Sequence, residues 1–270
     1  MKNIKKNKVL IIGLDGCRSD SLLVADTPNI DKLWKNGAFS FYAKTDPITI
    51  SGPAWTGMLT GVTSDKHGIL DNEYSVKLKY PHFYNIAKKV NPDLIIASIP
   101  QWDPINNILE HDKNDIVVSP DTSREVTDTV IDALTNNNPD VVFVQFDDVD
   151  AAGHSSGYGP HLVDYLKSIE LLDGFVGEIV SAVYKRKNID NENWLIIVTS
   201  DHGGFDKRHG ENSIQEETVF FISYGNSVIT GDIEEKPITA DIAVTSLAHL
   251  GIKTDPAWKL DGKVINLKTD

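Results

Sequence analysis

The chain is short of cysteine, of cations and of long apolar runs, and each shortage excludes something. Cys17 is the single cysteine among 270 residues, so no internal disulfide framework staples the fold. No apolar stretch approaches the roughly 18 residues that a membrane span needs. The lysine-rich stretch Met1 to Lys8 followed by apolar Val9–Leu14 has the outline of a leader. The apolar run is too short for one, however, and it leads into Asp15-Gly16 instead of a small-residue cleavage site. A buried first strand accounts for it better, and the expected location is cytoplasmic. Lys and Arg together number 26 against 39 Asp and Glu, a net charge of −13. Such a chain lacks the basic face that a nucleic-acid-coating protein needs. At first sight it is also a poor host for an anionic substrate.

What is present is ordinary for a soluble globular protein: 40% hydrophobic and 24% charged residues. At roughly 150 residues per domain the length allows one large domain or two small ones. No repeat, low-complexity segment or linker divides the chain, so residues 1–270 read as one domain. Val/Ile-rich runs bounded by polar or turn residues predict strands at Val9–Leu14, Leu94–Ser98, Ile116–Val118, Val141–Phe146 and Trp194–Thr199, with a weaker one at Val219–Ser223. Apolar spacings of three and four predict helices over Ser123–Thr135, Leu162–Tyr184 and Ile238–Leu250. Strands alternating with helices imply crossover units. The expected fold is therefore α/β: a three-layer α/β/α domain around a mainly parallel sheet. In such sheets ligands bind beyond the carboxyl ends of the strands, so site residues should follow strands.

Several do. Asp15 follows the first strand, where on its own it is an Asp opening a turn before Gly16. Asp147, Asp148 and Asp150 follow the run ending at Phe146, and His154 lies four residues past Asp150. Clustered carboxylates repel one another unless something cationic compensates, and one helical turn could aim Asp150 and His154 at a single point. The fifth strand runs into Ser200-Asp201-His202-Gly203, with His209 seven residues on. Three Asp and three His at three strand ends point to metal. Six such donors are too many for one tetrahedral ion and suit two, each with three protein ligands and an open position. Asp/His donors favour zinc, and manganese also fits mixed N/O sites.

Thr49-Ile50-Ser51-Gly52-Pro53-Ala54-Trp55 leads into an amphipathic helical stretch through Leu59. Pro53 suits the first turn, and Ser51 or Gly52 suits the cap. Ser51 fits an ordinary capping serine. It also fits a nucleophile, because a helix N-terminus favours both an alkoxide and a bound phosphate. Thr49 is the competing hydroxyl.

Together these segments resemble the alkaline phosphatase superfamily, and most closely its type I phosphodiesterase/nucleotide pyrophosphatase branch. The matching stretches are Asp15-Gly16-Cys17-Arg18, Ser51-Gly52-Pro53, Leu59-Thr60-Gly61, His67-Gly68, Asp150-Ala151-Ala152-Gly153-His154, Ser200-Asp201-His202-Gly203 and His209-Gly210. The resemblance implies a two-metal site, usually zinc. One ion would be held by Asp150, His154 and His209, the other by Asp15, Asp201 and His202 with the Ser51 oxygen. The family's nucleophile stands two residues before a proline, which here selects Ser51 over Thr49. The implied activity is hydrolysis of a small phosphate ester through a phosphoseryl intermediate, as a phosphodiesterase. A phosphomonoesterase is the alternative within the family, and a non-catalytic metal- or phosphate-binding module is the alternative outside it. Gly52, Arg18 and Trp55 are the candidate substrate contacts. The branch often carries an asparagine after the proline, but this chain has Ala54 there, which leaves the Gly52 N–H as a possible substitute. Cys17 lies in no C/S-x-P-S-R segment of the sulfatase kind and reads as a small packed residue.

Overall fold

The computed structural model describes residues 5–74, 77–107 and 115–268. Its centre is one sheet built from the Val/Ile runs. The strands are β1 (Lys6–Leu14), β2 (Ala38–Lys44), β3 (Ile96–Pro100), β4 (Ile116–Val117), β5 (Val141–Phe146), β6 (Glu192–Thr199), β7 (Thr218–Tyr224) and β8 (Gly231–Asp232). Their order is β4-β3-β5-β1-β6-β7-β2-β8. β4, β3, β5, β1 and β6 are mutually parallel. β7 runs antiparallel to both β6 and β2, and β8 is parallel to β2. Among the described strands only β7 therefore opposes the rest, and the α/β expectation holds.

Side chains alternate between the two faces of the sheet, and each face buries its own core. Leu10, Ile12, Val142, Val144, Ile196 and Val198 pack on one side. They lie under α1 (Ser19–Leu22), α2 (Pro28–Lys35), α7 (Ser123–Asp132), α8 (Asp148–Ser156) and the long α9 (Val163–Tyr184). Val9, Ile11, Val141, Phe143, Leu195 and Ile197 pack on the other. Those meet α3 (Ser51–Thr60), α5 (Phe83–Val90) and α11 (Asp241–His249). The single turns α4 (Ser64–His67), α6 (Pro104–Asn107) and α10 (Ile214–Glu217) join these layers. Strands buried on both faces need continuous apolar runs, which is why β1, β5 and β6 are so legible in the sequence. Among the described residues no helix is long and apolar enough to cross a membrane.

Some expected elements shift. β3 runs two residues later than Leu94–Ser98, and the run at Ile116–Val118 shortens to a two-residue edge strand. The helix expected from Ile238 starts at Asp241. The stretch at Ser123–Thr135 opens with a capping box, in which Thr122 and Glu125 bond each other's backbone N–H, and its last turn loosens into a π-turn over Ala133–Asn137. β2 carries no clean alternation because a bulge falls between Ser40 and Ala43. α3 is a correction of a different kind. It was expected to be amphipathic, yet all of its residues are buried, its cap is Ile50, and Ser51 is its first helical residue. A helix driven into the interior has no solvent face to show.

Gly13 explains how α3 comes so close to the sheet. A Cβ there would lie 2.2 Å from the Trp55 ring, and Gly13 sits in β1 between Gln145 of β5 and Thr199 of β6. Gly13→Ala should lower unfolding stability by about 1–3 kcal/mol, the usual cost of overpacking, as read by urea denaturation.

Candidate metal centre and nucleophile

The strand order decides which chemistry meets. β5, β1 and β6 are adjacent, so the residues that follow them emerge about 4.8 Å apart. Asp15 follows β1, Asp201 follows β6, and Asp150 lies in the first turn of α8, just past β5. The Gly16 and Cys17 N–H groups tie the end of β1 to the residues that follow β6. Ser200 Oγ accepts from Cys17 N–H at 3.0 Å and donates to the His202 carbonyl at 2.8 Å. Gly16 turns the chain with φ +66°, and a Cβ there would stand 2.5 Å from Asp150 Oδ1. Only glycine allows both that backbone conformation and that approach.

The six acid and imidazole side chains named from the sequence fall into two groups: Asp15, Asp201 and His202, and Asp150, His154 and His209. Within each group one ligand atom per residue lies within 4.8 Å of the others. In the first group every residue is fully buried. His202 Nδ1 donates to the Gly203 carbonyl at 2.8 Å. A carbonyl can only accept, so the ring's other nitrogen, Nε2, presents its lone pair inward. That lone pair faces Asp15 Oδ1 at 3.5 Å, Asp201 Oδ2 at 3.4 Å and Ser51 Oγ at 3.1 Å. Both carboxylate oxygens are buried and have no hydrogen-bond partner among the described residues. Each carboxylate is held through its other oxygen. Trp55 Nε1 and Gln145 Nε2 donate to Asp15 Oδ2 at 2.8 and 2.9 Å, and the Gly16 N–H donates to Asp201 Oδ1 at 3.2 Å.

The second group repeats the device nearer the surface. His154 Nδ1 donates to the Lys207 carbonyl at 3.0 Å, and His209 Nδ1 to the Thr49 carbonyl at 2.8 Å. Their Nε2 atoms turn toward each other at 3.2 Å, with Asp150 Oδ2 3.3 Å from that of His154. Tyr158 OH donates to Asp150 Oδ1 at 2.5 Å. The His202 and His209 rings stack at 3.9 Å between centroids, so the groups abut.

Electrostatics follows from this crowding. Burial, then the neighbouring carboxylates, push Asp15 and Asp201 well above the usual carboxylate range. Asp147 rises to about 6 through burial and the charge of Asp150. Burial acts on Asp150 in the same direction, but the hydrogen bond from His154 and the charges of His202 and His209 outweigh it and hold that carboxyl down at about 2. Burial, the largest influence on both, pushes His202 and His209 below the usual imidazole range. The hydrogen bond to Asp150 raises His154 to about 9. Inward lone pairs beside unpartnered carboxylate oxygens are a donor set that a divalent cation satisfies.

The two candidate hydroxyls separate cleanly. Ser51 Oγ faces the first group, whereas Thr49 Oγ1 is fully buried and donates to Glu216 Oε2 at 2.7 Å. Three substrate-contact expectations need correction. Trp55 is fully buried with its indole N–H on Asp15, so it offers no face to a substrate. The Arg18 guanidinium is occupied by Asp20 and by the carbonyls of Tyr158 and Gly204. The Gly52 N–H donates to Asn72 Oδ1 at 2.7 Å and is already taken. Sequence reasoning missed Gln145, Glu216 and Asn72. Gln145 had a readable signal, since it is the polar residue inside the apolar strand Val141–Phe146. Glu216 had none. Its Oε2 accepts from the N–H groups of Gly210, Glu211 and Asn212 and from Thr49. It thus fastens the loop after His209 to the segment before Ser51.

A model of the metalloenzyme superfamily matches residues 102–254, more than half of the chain. The chain belongs to that superfamily. The model of type I phosphodiesterase / nucleotide pyrophosphatase matches residues 9–115, which include Asp15 and Ser51, while the superfamily match includes the remaining metal-ligand candidates. The resemblance drawn from the motifs therefore holds. The human bis(5'-adenosyl)-triphosphatase ENPP4 is 26% identical over 219 residues, covering 73% of this chain and 47% of the relative. Human ectonucleotide pyrophosphatase/phosphodiesterase family member 7 is 26% identical over 240 residues, covering 76% and 50%. The chain thus spans about half the length of the curated relatives it matches. Murine ectonucleotide pyrophosphatase / phosphodiesterase 5 shares the fold, with a TM-score of 0.78 at 16% identity over 92% of this chain and 96% of that one. Superfamily and donor sets together support divalent-metal binding.

The elevated His154 gives that binding a pH signature. Below about pH 9 its imidazolium must lose a proton before Nε2 can ligate. Metal uptake at the Asp150 group should therefore release a proton and tighten about tenfold per pH unit from neutrality up to about pH 9, then level off. Titration calorimetry in buffers of differing ionisation enthalpy reads the released proton.

Proposed function

We propose that the chain is a two-metal phosphodiesterase with Ser51 as its nucleophile. One observation carries the reading: Asp15 Oδ1 and Asp201 Oδ2, buried and unpartnered, stand beside the His202 lone pair and within reach of the Ser51 hydroxyl. Asp15, Asp201 and His202 would hold one divalent ion, and Asp150, His154 and His209 the other. Zinc is the first choice for this N/O set, with manganese second. When bound, the two cations lower the pKa of a coordinated hydroxyl and offset charge on phosphoryl oxygens.

The protein's own contribution is positioning. As first helical residue of α3, Ser51 meets the substrate phosphate at a helix N-terminus. Its Oγ attacks phosphorus in line, forming the Ser–O–P bond as the ester oxygen leaves with the serine proton. Water then cleaves the phosphoseryl ester from the opposite side and restores the hydroxyl. Asn72, anchored through its Oδ1 on the Gly52 N–H beside Ser51, keeps its amide NH2 for a phosphoryl oxygen and takes the part that Ala54 cannot play.

A diester is favoured over a monoester by the state of the nearby cations. Arg18 is committed to Asp20 and two carbonyls, Lys207 donates to the Ser155 carbonyl, and Arg208 pairs with Glu211. A dianionic monoester needs more positive charge than a monoanionic diester.

Ser51→Ala should lower turnover of bis-p-nitrophenyl phosphate by about 10³-fold or more while leaving the metal content unchanged, and Thr49→Ala should retain activity. The reverse pattern removes Ser51 from its role. Two equivalents persisting by elemental analysis in Asp150→Ala or His209→Ala would overturn the ligand assignment. Faster hydrolysis of p-nitrophenyl phosphate than of the diester would favour the monoesterase, and activity that survives chelation would exclude metal from the reaction.

A further inference from the structure

Asp15 is held differently from the other carboxylates of the site. Its Oδ2 takes two hydrogen bonds from groups that can act only as donors toward it, and among the described residues its Oδ1 takes none. One donor is the indole N–H of Trp55, whose ring is locked over Gly13 and edge-on to Phe143 at 5.7 Å. The other is the amide of Gln145. That amide cannot flip, because its Oε1 accepts the Trp102 backbone N–H at 2.9 Å, and an N–H can only donate. Its NH2 is therefore directed at Asp15, with Asp147 Oδ1 more distant at 3.5 Å. Gln145 is fully buried in β5 between β1 and β3, where a polar side chain is costly unless its bonds are made. Asp150, by contrast, takes the Tyr158 hydroxyl on Oδ1 and faces His154 Nε2 with Oδ2 at 3.3 Å, so its two partners are split between its two oxygens.

We propose that Trp55 and Gln145 are positioning residues that make Asp15 a one-oxygen metal ligand. On this proposal they set the affinity of the Asp15–Asp201–His202 group independently of the Asp150–His154–His209 group. Two fixed donors on Oδ2 stop the carboxylate from rotating or offering both oxygens, so Oδ1 remains aimed beside His202 Nε2. Loss of such a partner commonly weakens metal binding 10–100-fold. The inference rests on the two-metal reading above.

The test is a zinc titration of metal-stripped wild type, Trp55→Phe and Gln145→Met against a chromophoric chelator, with melting curves of each metal-free protein. Trp55→Phe keeps an aromatic ring and loses only the N–H function and some volume, so it serves if Gln145→Met fails to fold. The expected result is one equivalent bound at wild-type affinity and the other weakened about 10–100-fold. In the Asp150→Ala background, the one remaining equivalent should weaken by the same factor when Trp55→Phe is added. Two equivalents at wild-type affinity in the variants would overturn the proposal. So would equal weakening of both equivalents with a lowered melting temperature, which is the signature of a merely structural role. Wild type that binds neither zinc nor manganese would instead overturn the two-metal reading, and this inference with it.

Discussion

The arrangement at the carboxyl ends of β5, β1 and β6 depends on a charge conflict. Three carboxylates and three inward-facing imidazole Nε2 atoms converge in a largely buried space. Nothing among the described residues satisfies Asp15 Oδ1 or Asp201 Oδ2, and buried acceptors left unpaired are expensive. Such a set is stable only with positive charge among its members. Without metal, protons supply it in part, which is why Asp15 and Asp201 are pushed upward and His154 is held to a high pKa. Two divalent ions would supply it in full and reverse the sign of the site locally. The overall net charge of −13 therefore does not exclude a phosphate ester.

The surrounding structure keeps that conflict in place. Each of the three imidazoles spends its Nδ1 proton on a backbone carbonyl, so the inward direction of Nε2 is set by main chain and not by flexible side chains. Asp15 and Asp201 each spend one oxygen on fixed donors. Glu216 gathers the N–H groups that follow His209 and the hydroxyl of Thr49 onto one oxygen. That clamp joins the loop that follows His209 to the segment leading into Ser51, so the candidate nucleophile and the candidate ligands share one support.

Much of this was legible because it rests on local rules. Strands buried on both faces must be apolar throughout, and the runs at β1, β5, β6 and β7 satisfied that rule visibly. Polar residues at and beyond the ends of such runs stood out and led to all six acid and imidazole candidates, while Ser51 stood out separately, two residues ahead of Pro53 at a helix start. β2 was illegible because its bulge breaks the alternation, and β8 because two residues carry no period. The π-turn ending α7 and the fully buried character of α3 are consequences of packing that no local pattern encodes. Substrate contacts were the least readable. Trp55, Arg18 and Gly52 all carry suitable chemistry, and the fold had already committed each to a partner within the protein.

The sequence by itself determined which chemistry the protein carries: carboxylates and imidazoles after buried strands, a serine ahead of a proline, and one cysteine with no partner. Those properties are intrinsic to residue type and short-range order. Tertiary structure alone decided which residues meet. Asp15, Asp150 and Asp201 are far apart in the chain and converge because β5, β1 and β6 are neighbours in the sheet. It also decided which hydroxyl remains available, since folding brings Glu216 to Thr49 and His202 to Ser51. Hydrogen-bond saturation depends on three-dimensional proximity, and proximity across the sheet has no counterpart in one dimension.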